Sequence, residues 1–394
     1  MRAFLVGILV FPALIATSSP PVAEQASFVT TLGRDTVVIE SFTRSPTRLV
    51  GDIVVRVPNT VLCHYELDLG STGNVTKSVL DVKPLTGNAP ERKVTLEYSG
   101  DQLSVDVDSA GQHNKTTRQV QKDAYPQFMT GFGSSYGLYS SLGVYEVLLA
   151  QLGTKFDSAS VPSIDMQSGR TVRRDFVQRS PTRVDADYFR IAFTHLTLGD
   201  SGQIVSADAS ETTEKTQTHR TAYIDPQKVA KQFVSDDKGG KGIGVASPSV
   251  TEKATLGGKL VVILYSSPRR RNRTILGTVV PYDQVWRTGA NQSTTLVTDD
   301  GFDIGGASFG GGSYSVWTEP KKNGSVDLII NGQSGQWGTN YDSTRDVGRV
   351  PMKVSTASSP QENFSITITP TTGNSGEIKI AWDTFIWTAP ITMK

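Results

Sequence analysis

Apolar and polar residues alternate with a period of two along much of the chain. In residues 63–69 the side chains of Cys63, Tyr65, Leu67 and Leu69 fall on one face, and three polar side chains fall on the other. Such alternation is typical of a strand with one buried face. The same pattern recurs in residues 35–42, 48–57, 93–98, 188–198 and 203–207. Residues 24–216 therefore predict a large antiparallel sheet with one buried face.

One segment of this first region has helical rather than strand periodicity. Between residues 138 and 152 apolar side chains recur at spacings of three and four, which is typical of an amphipathic or buried helix. A single apolar helix among many strands predicts a helix packed against a curved sheet or half-barrel. A curved sheet closed in this way could enclose an apolar ligand.

The character of the chain changes in residues 217–245, which we predict to be a linker with a short helix. Asp225 is suited to cap this helix and Pro226 to occupy its first position. The glycine-rich residues 236–242 then predict the end of the helix and a flexible connection. This assignment leaves residues 246–394 as a second domain.

The second domain again shows short strand patterns separated by turns. Around eight short strands over this length predict a β-sandwich or jelly roll. The predicted strands are residues 259–265, 274–280, 294–298, 313–318, 325–331, 350–355, 363–369 and 377–387.

The N-terminal residues have the pattern of a secretory signal peptide. A positive charge at Arg2 precedes an uncharged apolar run over residues 3–16, and small residues and prolines follow. The run is shorter than the roughly 20 residues of a membrane span. We therefore predict a signal peptide over residues 1–23, no transmembrane segment, and a periplasmic or extracellular protein. Cys63 is the only cysteine, so the chain cannot form an internal disulfide.

The net charge of the chain bears on whether it binds nucleic acid. The chain has 394 residues, with 39 Lys and Arg against 38 Asp and Glu, which gives a net charge of +1. A nearly neutral chain has no global field for nucleic acid, so we expect no nucleic-acid partner. No motif indicates a cofactor or a metal site. The composition says nothing of the oligomeric state.

Several tryptophan motifs of the second domain carry a family resemblance. They are Val-Trp-Arg-Thr-Gly-Ala-Asn at residues 285–291, Gly-Ser-Tyr-Ser-Val-Trp-Thr at 312–318, Gln-Trp-Gly at 336–338, and Tyr-Asp at 341–342. In this order they resemble a bacterial exported family known as domain of unknown function twenty-nine eleven. The resemblance covers about residues 246–394, and it implies a fold and export rather than a chemistry. The N-terminal half resembles the β domain that accompanies this family in some bacteria.

The tryptophan motifs also supply the candidate ligand-binding residues Trp286, Arg287, Asn291, Trp337 and Tyr341. Flat aromatic faces beside hydrogen-bonding groups are typical of a surface that binds a sugar or another small molecule. The alternative interpretation is structural: the tryptophans are core, and Arg287 pairs with Asp342. In either case Trp286 and Arg287, as neighbours in a strand, point to opposite faces.

A dense basic cluster precedes the predicted strand at residues 274–280. Guanidinium groups bind phosphate or sulfate through paired hydrogen bonds, so the cluster is a candidate anion site. The alternative is a solvated loop that supplies one or two structural ion pairs. The cluster comprises Arg269, Arg270, Arg271 and Arg273.

A second alternative for function rests on Ser135. It is the central residue of a Gly-x-Ser-x-Gly pattern at residues 133–137, which is typical of a hydrolase nucleophile, with Asp187 and His195 later in the chain. That motif needs a buried parallel strand before it, and residues 125–128 supply only a short one interrupted by proline. We predict that Ser135 is not a nucleophile. The favoured function is an exported, noncatalytic protein that binds a ligand or associates with the envelope; a hydrolase and a structural interaction module are the alternatives.

Overall fold

The computed structural model of the protein describes residues 23–122, 124–127, 141–153, 156–166, 170–188 and 192–394. The predicted signal peptide, apart from Ala23, lies outside these residues, as do Ser135 with its glycine motif and the first residues of the predicted helix at 138–152. The described chain is mainly β, and the predicted fold class is confirmed.

A 15-stranded sheet forms the N-terminal domain. Its order is β8-β7-β6-β5-β4-β3-β2-β1-β15-β14-β13-β12-β11-β10-β9, and every neighbouring pair is antiparallel except β9 and β10. The strands are β1 (Glu24–Leu32), β2 (Asp35–Arg44), β3 (Arg48–Val55), β4 (Val61–Leu69), β5 (Val75–Pro84), β6 (Arg92–Ser99), β7 (Gln102–Ser109), β8 (Gln112–Gln119), β9 (Tyr125–Gln127), β10 (Ser158–Asp165), β11 (Thr171–Ser180), β12 (Arg183–Tyr188), β13 (Ala192–Leu198), β14 (Ile204–Asp208) and β15 (Gln217–Thr221).

The alternation predicted for β4 is present in the structure. Cys63, Tyr65 and Leu67 are fully buried in the core of the domain. The sheet curves but does not close into a barrel. Its curvature brings β5 near the other end, where the Ser78 hydroxyl donates to the Met166 sulfur at 3.3 Å. A half-barrel therefore describes this sheet well.

One helix of the N-terminal domain, α1 (Leu142–Leu152), covers the buried face of this sheet. The Ser141 side chain caps it by accepting from the Val144 N–H at 3.1 Å. The apolar side chains of α1 fill most of the space over the sheet, and the cavity beneath the helix measures about 60 Å³. That volume is far below the 300–1,000 Å³ of typical ligand sites.

The segment predicted to be a linker belongs instead to the N-terminal domain. Strand β15 pairs with β1 and joins the two halves of the sheet. Helix α2 (Pro226–Lys238), capped by Asp225 as predicted, packs Phe233 against Val54 on the other face. The helix ends at Lys238, within the glycine-rich residues 236–242, as predicted. Asp236 pairs with Arg56 at 2.9 Å and so binds the last turn of the helix to the sheet.

Two sheets that share one apolar core form the C-terminal domain. One has six strands in the order β16-β17-β18-β21-β22-β23, and the other has four in the order β20-β19-β25-β24. The elements are β16 (Ser249–Leu256), β17 (Lys259–Ser266), β18 (Thr294–Thr298), β19 (Phe302–Ile304), β20 (Ala307–Phe309), β21 (Gly312–Pro320), β22 (Val326–Asn331), a 3₁₀ turn (Ser343–Arg345), β23 (Asp346–Pro351), β24 (Lys353–Pro370) and β25 (Ser375–Met393). This is the predicted β-sandwich, although β24 and β25 are much longer than expected.

The strand predicted at residues 274–280 is wrong. Ile275 and Val280 are buried, but they lie in a tight turn in which the Gly277 N–H donates to the Val280 carbonyl at 2.8 Å. Gly277 has a φ of 82°, a conformation that other residues rarely adopt. Apolar alternation alone does not distinguish a strand from such a turn, because both can point every second side chain inward.

The basic loop of the C-terminal domain joins the two domains. The Arg271 side chain is 2% exposed and pairs with Asp35 at the start of β2. The Arg34 N–H donates to the Arg271 carbonyl at 3.0 Å. A side chain at Gly33 would overlap that carbonyl, so glycine permits the close approach. The predicted anion cluster thus contributes one residue to a domain contact.

Candidate functional site

The motif at residues 285–291 begins in a regular hydrogen-bonded arrangement and then turns sharply. Trp286 exchanges two backbone hydrogen bonds with Thr318 of β21, at 2.7 and 2.9 Å. Thr288 and Asn291 then have φ values of 52° and 60°. A β-branched residue such as Thr288 is rare in the left-handed region, and conformations of this kind cluster at functional sites. The turn places Arg287 and Asn291 at the edge of the domain.

Trp286 itself belongs to the core. It is 6% exposed, its ring stacks on Trp382 with centroids 6.2 Å apart, and it meets Phe364 edge-on at 5.3 Å. Such aromatic contacts stabilise a core beyond the area they bury. Most of the Trp286 side chain is therefore packed in the core of the domain.

The Gln-Trp-Gly turn packs directly against this motif. The Gly338 N–H donates to the Asn291 carbonyl at 3.0 Å. A side chain at Gly338 would overlap the Arg287 side chain and would lie 2.5 Å from the Asn291 carbonyl oxygen. Glycine is required at this position because the Arg287 side chain crosses its backbone. Two motifs that lie about 45 residues apart in the sequence thus form one structure.

Trp317 and Tyr341 complete this side of the site. Their rings lie 4.9 Å apart, and the Tyr341 hydroxyl donates to Asp346 at 2.6 Å. Asp342, the partner that the sequence suggested for Arg287, accepts from the Thr344 N–H at 3.0 Å and caps the 3₁₀ turn. Asp342 therefore has a local role in this turn.

A cavity of about 320 Å³ lies where these motifs meet the N-terminal domain. Four of the five predicted ligand-binding residues line it: Trp286, Arg287, Asn291 and Tyr341. Trp337 is absent from its lining. The N-terminal domain contributes Leu32 and residues 213–215, and residues 246–247 of the connection contribute to the rim. The volume reaches the lower end of the range of small-molecule sites.

Positive charge dominates the lining of the cavity. Of its described charged residues, Lys215, Arg273 and Arg287 are cationic and Glu214 is acidic. Burial, followed by Arg287 and Arg273, lowers the pKa of Lys215 to about 8. Burial, followed by Arg271, lowers the pKa of Arg273 to about 10. The cations are close enough to disfavour one another's charge.

The structure divides the predicted basic cluster into separate roles. Arg270 pairs with Asp383 at 2.9 Å, Arg271 joins the domains, and Arg269 forms an isolated backbone bridge with Asn363. Only Arg273 lines the cavity. The four arginines therefore make separate contacts in the structure.

Lys215 and Glu214 were missed by sequence reasoning. They lie in a polar segment between β14 and β15, with nothing in their spacing to connect them to the tryptophan motifs. One local feature marks Lys215, which has a φ of 57°. Only the docking of the two domains brings these residues to the cavity.

His195 is the base in the hydrolase alternative, and both of its ring nitrogens contact carboxylates other than Asp187. Its Nδ1 lies 2.6 Å from Asp185 and its Nε2 lies 3.2 Å from Glu211. Both ring nitrogens therefore face carboxylates, and Asp187 is not their partner. The short strand β9 before the Ser135 motif does pair in parallel with β10, contrary to the antiparallel arrangement expected there. Ser135 lies outside the described residues.

The sequence predicted neither a metal site nor a transmembrane segment. Within the described residues, no cluster of three or more His, Cys, Asp or Glu side chains could hold a metal ion. In the same part of the chain no helix has the length and apolar character needed to cross a membrane. The two ring nitrogens of His64 lie 3.0 and 3.1 Å from carboxylate oxygens of Asp52 and Glu66 on the sheet surface.

Comparison with known proteins identifies a family for one domain. No curated protein matches the chain. Among solved structures, a DUF1089 family protein from Pseudomonas aeruginosa is similar at 12% identity and a TM-score of 0.31, over 44% of this chain and 90% of that chain. The family model described as "Protein of unknown function (DUF2911)" matches residues 247–391. The C-terminal domain, with its tryptophan motifs and its side of the cavity, therefore matches the DUF2911 family, as the motifs indicated.

Proposed function

We propose that this protein is an exported, noncatalytic binding protein, and that its site is the cavity between its two domains. The ligand is a small polar molecule, such as a sugar or another metabolite. One observation carries the proposal. Trp286, Arg287, Asn291 and Tyr341, which the sequence suggested as ligand-binding residues, line one cavity of about 320 Å³.

The construction of the cavity supports binding rather than packing alone. The turn at Thr288 and Asn291 keeps a strained backbone beside open space, although a relaxed turn would be more stable. Its walls combine aromatic rings with amide, hydroxyl and charged groups, which is the composition of sites for polar ligands. Because both domains contribute, a bound ligand would bridge them.

The binding proposal is tested with a thermal-shift screen of sugars and small organic acids. The wild type is compared with Ser247→Trp, which fills the cavity rim, and with the matched control Ser249→Trp on the exposed surface of β16. A true ligand raises the melting temperature of the wild type and the control but not of Ser247→Trp. A compound that stabilises all three proteins equally binds elsewhere and counts against the proposal.

Export is the second part of the proposal and is supported by the signal-peptide pattern of residues 1–23. Strand β1 begins at Glu24, so removal of that segment leaves the sheet whole. N-terminal sequencing of the periplasmic or secreted fraction should find a chain that begins between Ser19 and Ser27. Recovery of the protein from the cytosol with Met1 intact would contradict export.

A further inference from the structure

Strand β8, at the end of the 15-stranded sheet, contributes almost nothing to the core. It contains no apolar side chain, and seven of its eight residues are exposed, the exception being the half-buried Arg118. Polar residues protect an exposed sheet edge from pairing with another chain. That role does not require a cavity, yet a cavity lies beside this strand.

The cavity beside β8 has a volume of about 420 Å³ and is formed by β6, β7 and β8. Val105 and Val107 of β7 give it an apolar wall, and every second side chain of β8 lines it: Gln112, Asn114, Thr116 and Arg118. Hydrogen-bonding groups beside an apolar wall are typical of sites for small molecules, and the volume lies within their range of about 300–1,000 Å³. None of the residues that line this cavity lines the interdomain cavity, so the two are separate.

Arg118 lies at one end of this cavity without a counterion. Its Nε and Nη2 atoms are shielded from solvent and have no hydrogen-bond partner. Arg118 forms no ion pair in the part of the chain that the structure describes, and its neighbour in register on β7 is Leu103. A buried guanidinium edge without an acceptor lowers the stability of the fold, because it loses its bonds to water and gains none in return.

The outer face of β8 provides a contrast with the cavity face. On the outer face Lys115 is in register with Asp106 of β7, and the His113 ring lies 3.4 Å from Asp108. The cations of the outer face thus lie across from acids, whereas Arg118 on the cavity face lies across from a leucine.

Arg92, which also lines the cavity, lies at its other end. Through Ser109 of β7, Arg92 is in the same row of the sheet as Gln112. Gln112 precedes Arg118 by six positions in an extended strand, a distance of roughly 20 Å. One small ligand group therefore cannot contact both arginines, and the chemistry at the Arg118 end depends on Arg118.

We propose that this cavity binds a small organic acid, with its carboxylate on the Nε–Nη2 edge of Arg118 and its apolar part against Val105 and Val107. Nε and Nη2 form the side of the guanidinium that a carboxylate contacts through two parallel hydrogen bonds. Because this edge is shielded from solvent, the Arg118 side chain turns it toward the cavity when the acid binds. The Asn114 amide and the Thr116 hydroxyl line the same cavity and bond polar substituents of the acid.

The experiment is calorimetric titration of benzoate and benzamide into the full-length protein at pH 7. The two probes have the same ring and nearly the same shape, but only benzoate carries a carboxylate. We expect saturable binding of benzoate and a Kd for benzamide that is at least about tenfold higher. Equal affinity for the two, or no saturable binding of benzoate, would overturn the proposal. Inorganic phosphate that binds as tightly as benzoate would also overturn it, because the apolar wall would then contribute nothing.

Variants of β8 test the role of Arg118. In Arg118→Met the Kd for benzoate should rise at least about tenfold, and in Arg118→Lys, which keeps the charge but lacks the two-nitrogen edge, about three- to tenfold. Lys115→Met, on the outer face of the same strand, is the matched control and should leave the Kd unchanged. Thermal unfolding verifies that each variant is folded. Equal weakening in Arg118→Met and Lys115→Met would indicate general charge attraction and would refute the site.

Substitutions that fill the cavity locate the bound acid. Thr116→Trp places an indole ring in the cavity, and Thr117→Trp places one on the opposite face of β8. Benzoate binding should be lost in Thr116→Trp and kept in Thr117→Trp. Binding that survives Thr116→Trp but is blocked by Ser247→Trp belongs to the interdomain cavity, so it refutes this inference and supports the proposed function. Loss in Thr116→Trp alone supports this site, and the interdomain cavity is then judged by its own ligands.

Discussion

Buried charge is treated differently in two regions of this protein. Inside the N-terminal domain, the Glu146 carboxylate accepts from the Ile204 N–H at 2.6 Å and from Arg220 at 2.5 Å. In the cavity between the domains, Lys215 and Arg273 donate to backbone carbonyls, and neither donates to a carboxylate within the described part of the chain. Glu146 is thus paired within the chain, whereas Lys215 and Arg273 form no ion pair among the described residues.

Removal of the buried Glu40 carboxylate should have the largest effect on stability, because this group, like Glu146, is bonded within the N-terminal domain. Its buried carboxylate accepts from the Tyr65 hydroxyl at 2.6 Å, the Ser141 hydroxyl at 2.5 Å and the N–H groups of Leu142 and Gly143 at 2.8 and 3.2 Å. Glu40→Ala leaves four buried donors without this acceptor at the start of α1. We expect the free energy of unfolding to fall by about 3–5 kcal/mol in urea denaturation.

The control for this experiment is Tyr65→Phe. It removes one of the four donors and leaves the carboxylate in place, so we expect a loss of about 1 kcal/mol. A Glu40→Ala protein that is no less stable than Tyr65→Phe would show that this carboxylate does not anchor α1.

Gly338→Ala tests the junction between the two tryptophan motifs. The new methyl group would overlap the Arg287 side chain and press on the Asn291 carbonyl. We expect a loss of about 1–3 kcal/mol in chemical denaturation, together with weaker ligand binding because Arg287 must move. Gly310→Ala is the control, since its nearest neighbour would be the Tyr314 hydroxyl at 4.0 Å. Equal stability of the two variants would mean that the motifs do not need this contact.

Lys215→Met should stabilise the protein, in contrast to both previous changes. The pKa of Lys215 is about 8 in the folded chain and 10.5 ordinarily, so the unfolded state holds the proton more tightly. Protonation therefore disfavours folding, fully below about pH 8, and the penalty disappears as the pH rises through 10.5. In anion-free buffer at pH 7 we expect a gain of about 1 kcal/mol, as is common when a functional charge is removed.

Lys228→Met is the matched control for Lys215, because the Lys228 side chain is 84% exposed on α2. Its stability should differ from the wild type by less than about 0.5 kcal/mol. A Lys215→Met protein that is less stable than the wild type in anion-free buffer would mean that the charge of Lys215 is balanced within the chain, and the comparison with Glu146 would fail.

The smallest expected effect concerns His195. Burial lowers its pKa, but the hydrogen bonds to Asp185 and Glu211 outweigh burial and raise the pKa above its ordinary value of 6.5. Its stabilising contribution is therefore complete below pH 6.5 and is lost as the pH rises through the folded pKa. His195→Gln should cost under about 1 kcal/mol at pH 5.5 and less at pH 8.5, as measured by thermal unfolding.

His113→Gln is the control for this pair of measurements, since the His113 side chain is 69% exposed. It should change the stability by less than about 0.5 kcal/mol at both pH values. A loss in His195→Gln that grows with pH would show that the neutral imidazole, not its charged form, is the stabilising species.

Local patterns in the sequence determined much of the fold. The period-two alternation of β4 follows from strand geometry, and the Asp225-Pro226 cap follows from the unpaired N–H groups of a helix start. Each feature depends on neighbours within a few residues. The tryptophan motifs likewise indicated the family of the C-terminal domain and four residues of the cavity wall.

Long-range packing decided the rest. Residues 274–280 alternate as a strand does, yet they turn back on themselves, with Gly277 at a φ of 82° and its N–H bonded to the Val280 carbonyl. Residues 217–245 have a linker's composition but join the sheet through β15. Lys215 lies in one cavity with Arg273 and Arg287 because the two domains pack together, with Arg271 of one paired to Asp35 of the other. Sequence spacing describes what a side chain's neighbours along the chain require, whereas a site between domains depends on contacts that form only when distant segments pack together.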